Sequence, residues 1–175
     1  WQMAHAAHAC LQDNFCGGVV VTKYGHVKGE IADVACFEGG HPVPDENSLR
    51  GTDAALALTA NLTESDTVVF LLSGGGSALF EKPLLPLAEL QDVTNQLLAA
   101  GADIVEINTI RKRLSAVKGG RFARHCAPAQ VFAVVLSDIL GDPLDMIASG
   151  PAYPDSSSCA QALAIAKKYG LRLSE

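Results

Sequence analysis

Charge is what this sequence is short of, and basic charge above all. Only 18% of its 175 residues are charged, and 13 lysines and arginines stand against 19 acids, for a formal net charge of -6. A general surface for nucleic acid or anionic membrane needs the opposite balance, so any phosphate chemistry must come from a local cluster of basic groups. No apolar run approaches the ~20 residues of a membrane span, and no charged segment with a cleavage site opens the chain. The five cysteines, Cys10, Cys16, Cys36, Cys126 and Cys159, are scattered and form no C-x-x-C pair. Free, buried thiols in a reducing cytoplasm are the expectation. No His-Cys-Asp spacing of metal type occurs either. Internal repeats and low-complexity segments are also missing.

What the chain has is a 49% hydrophobic composition, enough for one domain over residues 1–175. Helical spacing runs from the first residues through Met3, Ala6, Ala7, Cys10 and Leu11 with no cap before it, and Glu175 follows soon after a helix-stopping Gly170. Both ends are therefore expected to continue into a longer protein. The apolar run Thr67 to Leu72 reads as a buried strand and leads directly into Ser73-Gly74-Gly75-Gly76-Ser77. Three glycines after a strand let backbone approach a ligand closely, and a helix starting near Ser77 would turn free N–H groups toward an anion. This loop is not a Walker A motif, since no Lys-Ser or Lys-Thr follows. It is not a dinucleotide fingerprint or a nucleophile elbow, because Leu79 stands where each requires glycine.

Further strands are predicted at Gly17 to Thr22, Asp33 to Phe37 and Gln130 to Leu136, and helices at about Ser48 to Ala60, Pro86 to Ala100, from Asp103 onward and after Ser158. In the helix after Asp103, the residues Ile104, Ile107, Ile110, Leu114 and Val117 make one buried stripe. In the last helix Ala162, Leu163, Ile165, Ala166 and Tyr169 face inward. Strands alternate with helices, and the strand runs are continuously apolar. This predicts an α/β, Rossmann-like three-layer domain with a mainly parallel sheet covered by helices on both faces. Ligands of such sheets sit at the carboxyl ends of the strands.

Three segments bring chemistry to that end. The glycine loop is the first. The second is the helix with Asn108, Arg111, Ser115 and Lys118 at spacings of three, four and three, a polar strip able to grip an anion. Lys112 and Arg113 point elsewhere in this reading. The third is Ser137 to Asp145, where Asp138 directly follows a strand and can hold Mg²⁺, with Asp142 as second candidate. Asp142 could equally serve only its own turn, and Asp145 reads as a cap. His41 and Glu46 flank Pro42-Val43-Pro44 and join the substrate-binding candidates, although a lone loop histidine is most often simply solvated.

Five segments in order, Gly18 to His26, Gly40 to Asp45, Ser73 to Leu79, Asn108 to Gly120 and Ser137 to Pro151, resemble the glycerate 2-kinase family. Its members pair a large N-terminal domain with a MOFRL domain. The resemblance implies Mg²⁺-dependent transfer of the γ-phosphoryl group of ATP to the 2-hydroxyl of D-glycerate, in a cleft between two domains. It also implies that a Gly-Lys-Ala segment upstream of Trp1 and the MOFRL domain in cis complete the site, with small molecules as the partners and homo-oligomerisation left open. Within these residues Ser73 to Ser77 would hold an anionic group, with Asn108 and Ser115 beside it. Arg111 and Lys118 would bind the glycerate carboxylate or the transferring phosphate, and Asp138 would position Mg²⁺. Members of this family are sometimes labelled hydroxypyruvate reductase. The alternatives are therefore an NAD(P)-dependent oxidoreductase acting on hydroxypyruvate, a non-catalytic sugar-acid or phosphate sensor, and a serine hydrolase built on Ser73 or Ser77.

Overall fold

The computed structural model describes residues 1–137 and 143–173. Along the chain come α1 (Gln2–Leu11), β1 (Gly18–Lys23), β2 (Val34–Gly39), α2 (Glu46–Leu58), β3 (Thr67–Leu72), α3 (Gly76–Leu79) and α4 (Leu87–Ala99). There follow α5 (Ile104–Leu114), α6 (Arg121–His125), β4 (Gln130–Val135), a 3-10 turn at Ile147–Ser149, and α7 (Cys159–Lys168). The class is α/β with parallel strands, as the β-branched runs predict. Among the described residues the strands hydrogen-bond as two pairs, β1 with β2 and β3 with β4. Lys23 is level with Gly39, and Leu72 with Val135. The carboxyl ends of each pair therefore deliver Lys23 beside the Gly39–His41 corner, and Ser73 beside Leu136.

Two apolar clusters hold these elements. Val93 and Leu97 of α4, Ile107 and Ile110 of α5 and Ala162 of α7 form one. Phe80, Val117, Phe122 and Cys126 form the other, against Phe70 of β3, with the Phe70–Phe122 and Phe80–Phe122 ring centroids 4.8 and 5.0 Å apart. The opposite face of the β3–β4 pair presents Val69, Phe132, Val134 and Leu136 to the exterior.

Several sequence expectations shift. The stripe expected to run from Ile104 to Val117 breaks at both ends. Ile104 lies exposed in the first turn, and α5 stops at Leu114. Its last turn is captured by the segment before α4: Leu84 N donates to Leu114 O and Ala116 N to Lys82 O, so Ser115 is extended. Leu163 is exposed, not inward. All five cysteines are free, but only Cys126 is buried; Cys10, Cys16 and Cys159 are exposed.

Helix α2 begins at Glu46, earlier than expected, because Asp45 caps it. The Asp45 carboxylate accepts from Ser48 N at 2.9 Å and from Tyr24 Oη at 2.7 Å, which ties the helix to the end of β1. Losing an N-cap costs about 0.5–2 kcal/mol. Asp45→Ala should therefore lower the unfolding free energy of the full-length polypeptide by about 1 kcal/mol in urea titration, with Asp45→Asn restoring most of it.

Candidate active site

The glycine loop leaves β3 and turns sharply at Gly75, whose φ of 91° suits glycine. Space is the second constraint. A Cβ at Gly75 would lie 3.0 Å from His41 Cδ2 and 3.1 Å from Lys23 Cε, and one at Gly76 would lie 2.7 Å from Ala148 Cβ. The chain does enter a helix here, but α3 is a single turn of four residues, so its dipole contributes little. The loop offers an anion its backbone N–H groups instead. The first to be engaged is Ala78 N, on Gly75 O; those of Gly74 to Ser77 meet no acceptor among the described residues.

Opposite this loop lies α5, and between them is a cleft of about 330 Å³ lined by Ser73 to Ala78, His41, Asn108, Arg111 and the 146–148 segment. Arg111 is 8% exposed and makes no hydrogen bond or ion pair with a described residue. Burial pushes its pKa below the ordinary value, and Glu81, the charge that opposes this, does not cancel it. His41 is likewise pushed down, by burial and then by the positive charges of Lys23 and Arg111. The cleft is thus cationic and rich in donors. A larger hollow of about 1310 Å³ lies at the amino ends of β1 and β2, but no cationic residue lines it.

Of the expected site residues, the structure brings together His41, Ser73, Gly74, Gly75, Gly76, Ser77, Asn108 and Arg111. Glu46 is exposed on the first turn of α2 and does not line the cleft. Ser115 and Lys118 are off the helix and fully buried. Lys118 Nζ donates to Phe80 O at 2.9 Å and stands 3.6 Å from Glu81 Oε2, behind the glycine loop. Burial lowers its pKa, Glu81 opposes this, and Arg111 adds to the lowering. Asp138 and Asp142 lie outside the described residues. Among the described residues no cluster of His, Cys, Asp and Glu could hold a metal ion.

Sequence reasoning missed Glu81, which is 1% exposed with Oε1 lacking a hydrogen-bond partner among the described residues. A single acid between Phe80 and Lys82 in an irregular segment carries no periodic signal. It also gave no partner to Lys112, which points away from the cleft as expected but is fully buried, 3.2 Å from both Asp145 Oδ2 and Asp155 Oδ1. Asp145 is thus an ion-pair partner and not a cap. Between these two acids runs the 3-10 turn, where Ala148 and Ser149 hold positive φ of 52° and 61°, a conformation non-glycine residues adopt at a cost of about 1–3 kcal/mol each. Ser149 Oγ donates to Asn108 Oδ1 and lies 3.1 Å from Ser77 Oγ. Gly119 N and Gly120 N bond Ser149 O and Gly150 O. The strained turn is held from below by Lys112 and from the side by Asn108, and it forms one wall of the cleft.

Parallel strands whose carboxyl ends feed a donor-rich cleft make this an α/β domain with a cleft where ligands of such sheets sit. The chain belongs to a domain family described as a domain of unknown function, DUF4147, which matches residues 1–175. It is 58% identical over 177 residues to D-glycerate 2-kinase of Thermotoga maritima, covering all of this chain and 42% of that protein. The crystal structure of the glycerate kinase from Thermotoga maritima superposes with a TM-score of 0.96 at 58% identity, over 100% of this chain and 43% of that one. A protein from Agrobacterium vitis, 42% identical over 175 residues, 99% of this chain and 40% of its own length, carries hydroxypyruvate reductase only as a provisional name. The chain spans about two-fifths of the length of these curated relatives.

Proposed function

We propose that the polypeptide carrying this chain is a glycerate 2-kinase, a cytoplasmic enzyme that moves the γ-phosphoryl group of ATP to the 2-hydroxyl of D-glycerate. Residues 1–175 would form an incomplete N-terminal domain whose cleft is completed by a second domain in cis. The observation that carries the reading is Arg111: a buried guanidinium without a hydrogen bond or ion pair among the described residues, facing backbone N–H groups that meet no described acceptor, across a cleft of about 330 Å³. Phosphoryl transfer asks for such positioning and charge neutralisation more than for covalent chemistry. The identity with the Thermotoga maritima D-glycerate 2-kinase supports the same assignment.

In this reading Arg111 forks onto the glycerate carboxylate or the transferring phosphate, and the N–H groups of Gly74 to Ser77 hold the other anionic group. Lys118, off the cleft, would play a supporting part, bonding Phe80 O just after α3 beside Glu81. Mg²⁺ would be held by Asp138, with Asp142 second, and would neutralise charge on the nucleotide phosphates. A dinucleotide oxidoreductase is disfavoured, since Leu79 stands where the fingerprint needs glycine and Gly76 is closed in by Ala148.

Phosphorus NMR on the full-length polypeptide with D-glycerate and MgATP checks this. The expected result is the phosphomonoester signal of 2-phosphoglycerate growing as ADP accumulates. Folded protein that leaves ATP intact but oxidises NADH or NADPH in the presence of hydroxypyruvate would replace the kinase with the reductase.

A further inference from the structure

Ser77 and Ser149 meet at the wall of the cleft, and the hydrogen bonds around them have one consistent direction. A carbonyl only accepts, so the Asn108 amide presents Nδ2 to Met146 O at 3.0 Å and turns Oδ1 the other way. That oxygen receives the hydroxyl hydrogen of Ser149 at 2.8 Å. A hydroxyl has one hydrogen, and Ser149's is committed to Asn108. The 3.1 Å contact between the two serines is therefore donated by Ser77. The reverse orientation would leave Asn108 Oδ1 without a donor among the described residues, in a side chain 1% exposed beside a serine with no exposure at all. A buried acceptor left unpaired is the costlier arrangement.

Ser77 is where this chain of bonds reaches the cleft, which it lines. While it bonds Ser149, its hydrogen points back into the protein and its oxygen shows the cleft lone pairs. The backbone N–H groups of the loop and Arg111 have hydrogens to give an anion without breaking a bond; the Ser77 hydroxyl would have to give up its bond to Ser149 first. An anionic oxygen placed against it in this arrangement would meet lone pair with lone pair.

We infer that the Ser77 hydroxyl reads a hydroxyl group of the bound acid, accepting its hydrogen bond, and is not itself a ligand of the carboxylate or phosphate. The inference rests on the glycerate reading for the occupant and assigns one further contact within it. It also separates the Ser77 side chain from the backbone N–H groups of Gly74 to Ser77, with which the sequence had grouped it as an anion ligand. Ser77 would thus be a specificity residue: an acid lacking the hydroxyl it reads leaves its lone pairs unmatched.

Calorimetric binding to the full-length polypeptide tests this, with four probes: D-glycerate, D-lactate (no 3-hydroxyl), 3-hydroxypropanoate (no 2-hydroxyl) and inorganic phosphate. Ser77→Ala should weaken D-glycerate about tenfold, as loss of one good hydrogen bond does. It should leave phosphate within about twofold, and leave unchanged whichever analogue lacks the hydroxyl being read. Ser77→Thr, which keeps the hydroxyl, should retain wild-type discrimination between glycerate and that analogue. If Ser77→Ala weakens phosphate as much as glycerate, Ser77 is a donor to the anion and the inference falls while the kinase reading stands. Equal losses for all three acids would also overturn it alone. Wild-type protein that binds none of the acids would overturn the glycerate reading, and this inference with it.

Discussion

Replacing Lys112 by Met should lower the unfolding free energy of the full-length polypeptide by about 3–5 kcal/mol, the range for removing one partner of a buried ion pair. Methionine keeps the aliphatic stem, so the loss reports charge and not packing. Lys112 has no solvent exposure and sits 3.2 Å from each of two carboxylates, whose side chains are 21% and 13% exposed. Without it, Asp145 keeps the hydroxyl of Ser156. Asp155 keeps the N–H and hydroxyl of Ser157, and an ion pair with Arg113 at 2.9 Å. Those remaining partners place the effect toward the lower end of the range. Urea titration at neutral pH is the measurement. Adding Asp155→Asn to Lys112→Met should cost less than the sum of the single changes, because the Lys112–Asp155 attraction that both changes remove is lost only once. Additive losses would show that the pair is not coupled.

The same cluster sets an acid limit. Burial pushes Asp145 upward, but the hydrogen bond from Ser156 and then Lys112 outweigh it, and the net pKa lies below the usual value. Asp155 follows the same pattern, with burial opposed by Ser157 and then Lys112. A carboxylate with a depressed folded pKa contributes stability that is complete above its unfolded value of about 3.9 and lost as pH falls through the folded one. Wild-type stability should therefore decline below about pH 4, and the decline should be shallower in Lys112→Met.

Arg111→Ala should have the opposite profile. It is expected to lower kcat/KM for D-glycerate more than tenfold, about 1.4 kcal/mol of transition-state stabilisation. Stability should be unchanged or slightly raised. Arg111 has no hydrogen bond or ion pair to lose among the described residues, and it adds to the charge burden on Lys118. Arg111→Lys should recover little of the activity, since an ammonium cannot fork onto a carboxylate or phosphate. Steady-state kinetics beside urea titration separates the two effects; unchanged kinetics would remove Arg111 from the site.

How far the sequence carried depended on the kind of interaction. Thr67 to Leu72 and Gln130 to Val135 were legible because each is a continuous apolar run rich in β-branched residues, although one face of the pair proves to be exposed. Asp103 and Ser158 were legible as caps because the cap chemistry is local. The gathering of Arg111 and Asn108 opposite the glycine loop followed from their shared helix. What stayed hidden is non-local. The end of α5 at Leu114 is imposed by backbone bonds from residues 82 and 84, and helical period continued through it. Lys112 fell off both the apolar stripe and the polar strip and was given no partner, since its two acids stand 33 and 43 positions further on. Glu81 and the left-handed Ala148 and Ser149 have no local mark at all.

The 2.7 Å approach that a side chain at Gly76 would make to Ala148 has a consequence for how the cleft meets its ligand. The two walls already touch, and the serine pair fastens them, so neither can retreat without moving the other. If an acid binds here as proposed, such a cleft would be pre-organised: it would surrender little conformational freedom, and binding energy would not be diverted into ordering the loop. This wall would also be unforgiving of size. An acid one methylene larger would find no give on that side, so selection against it would come from rigidity in the empty protein, before any contact with the ligand is made.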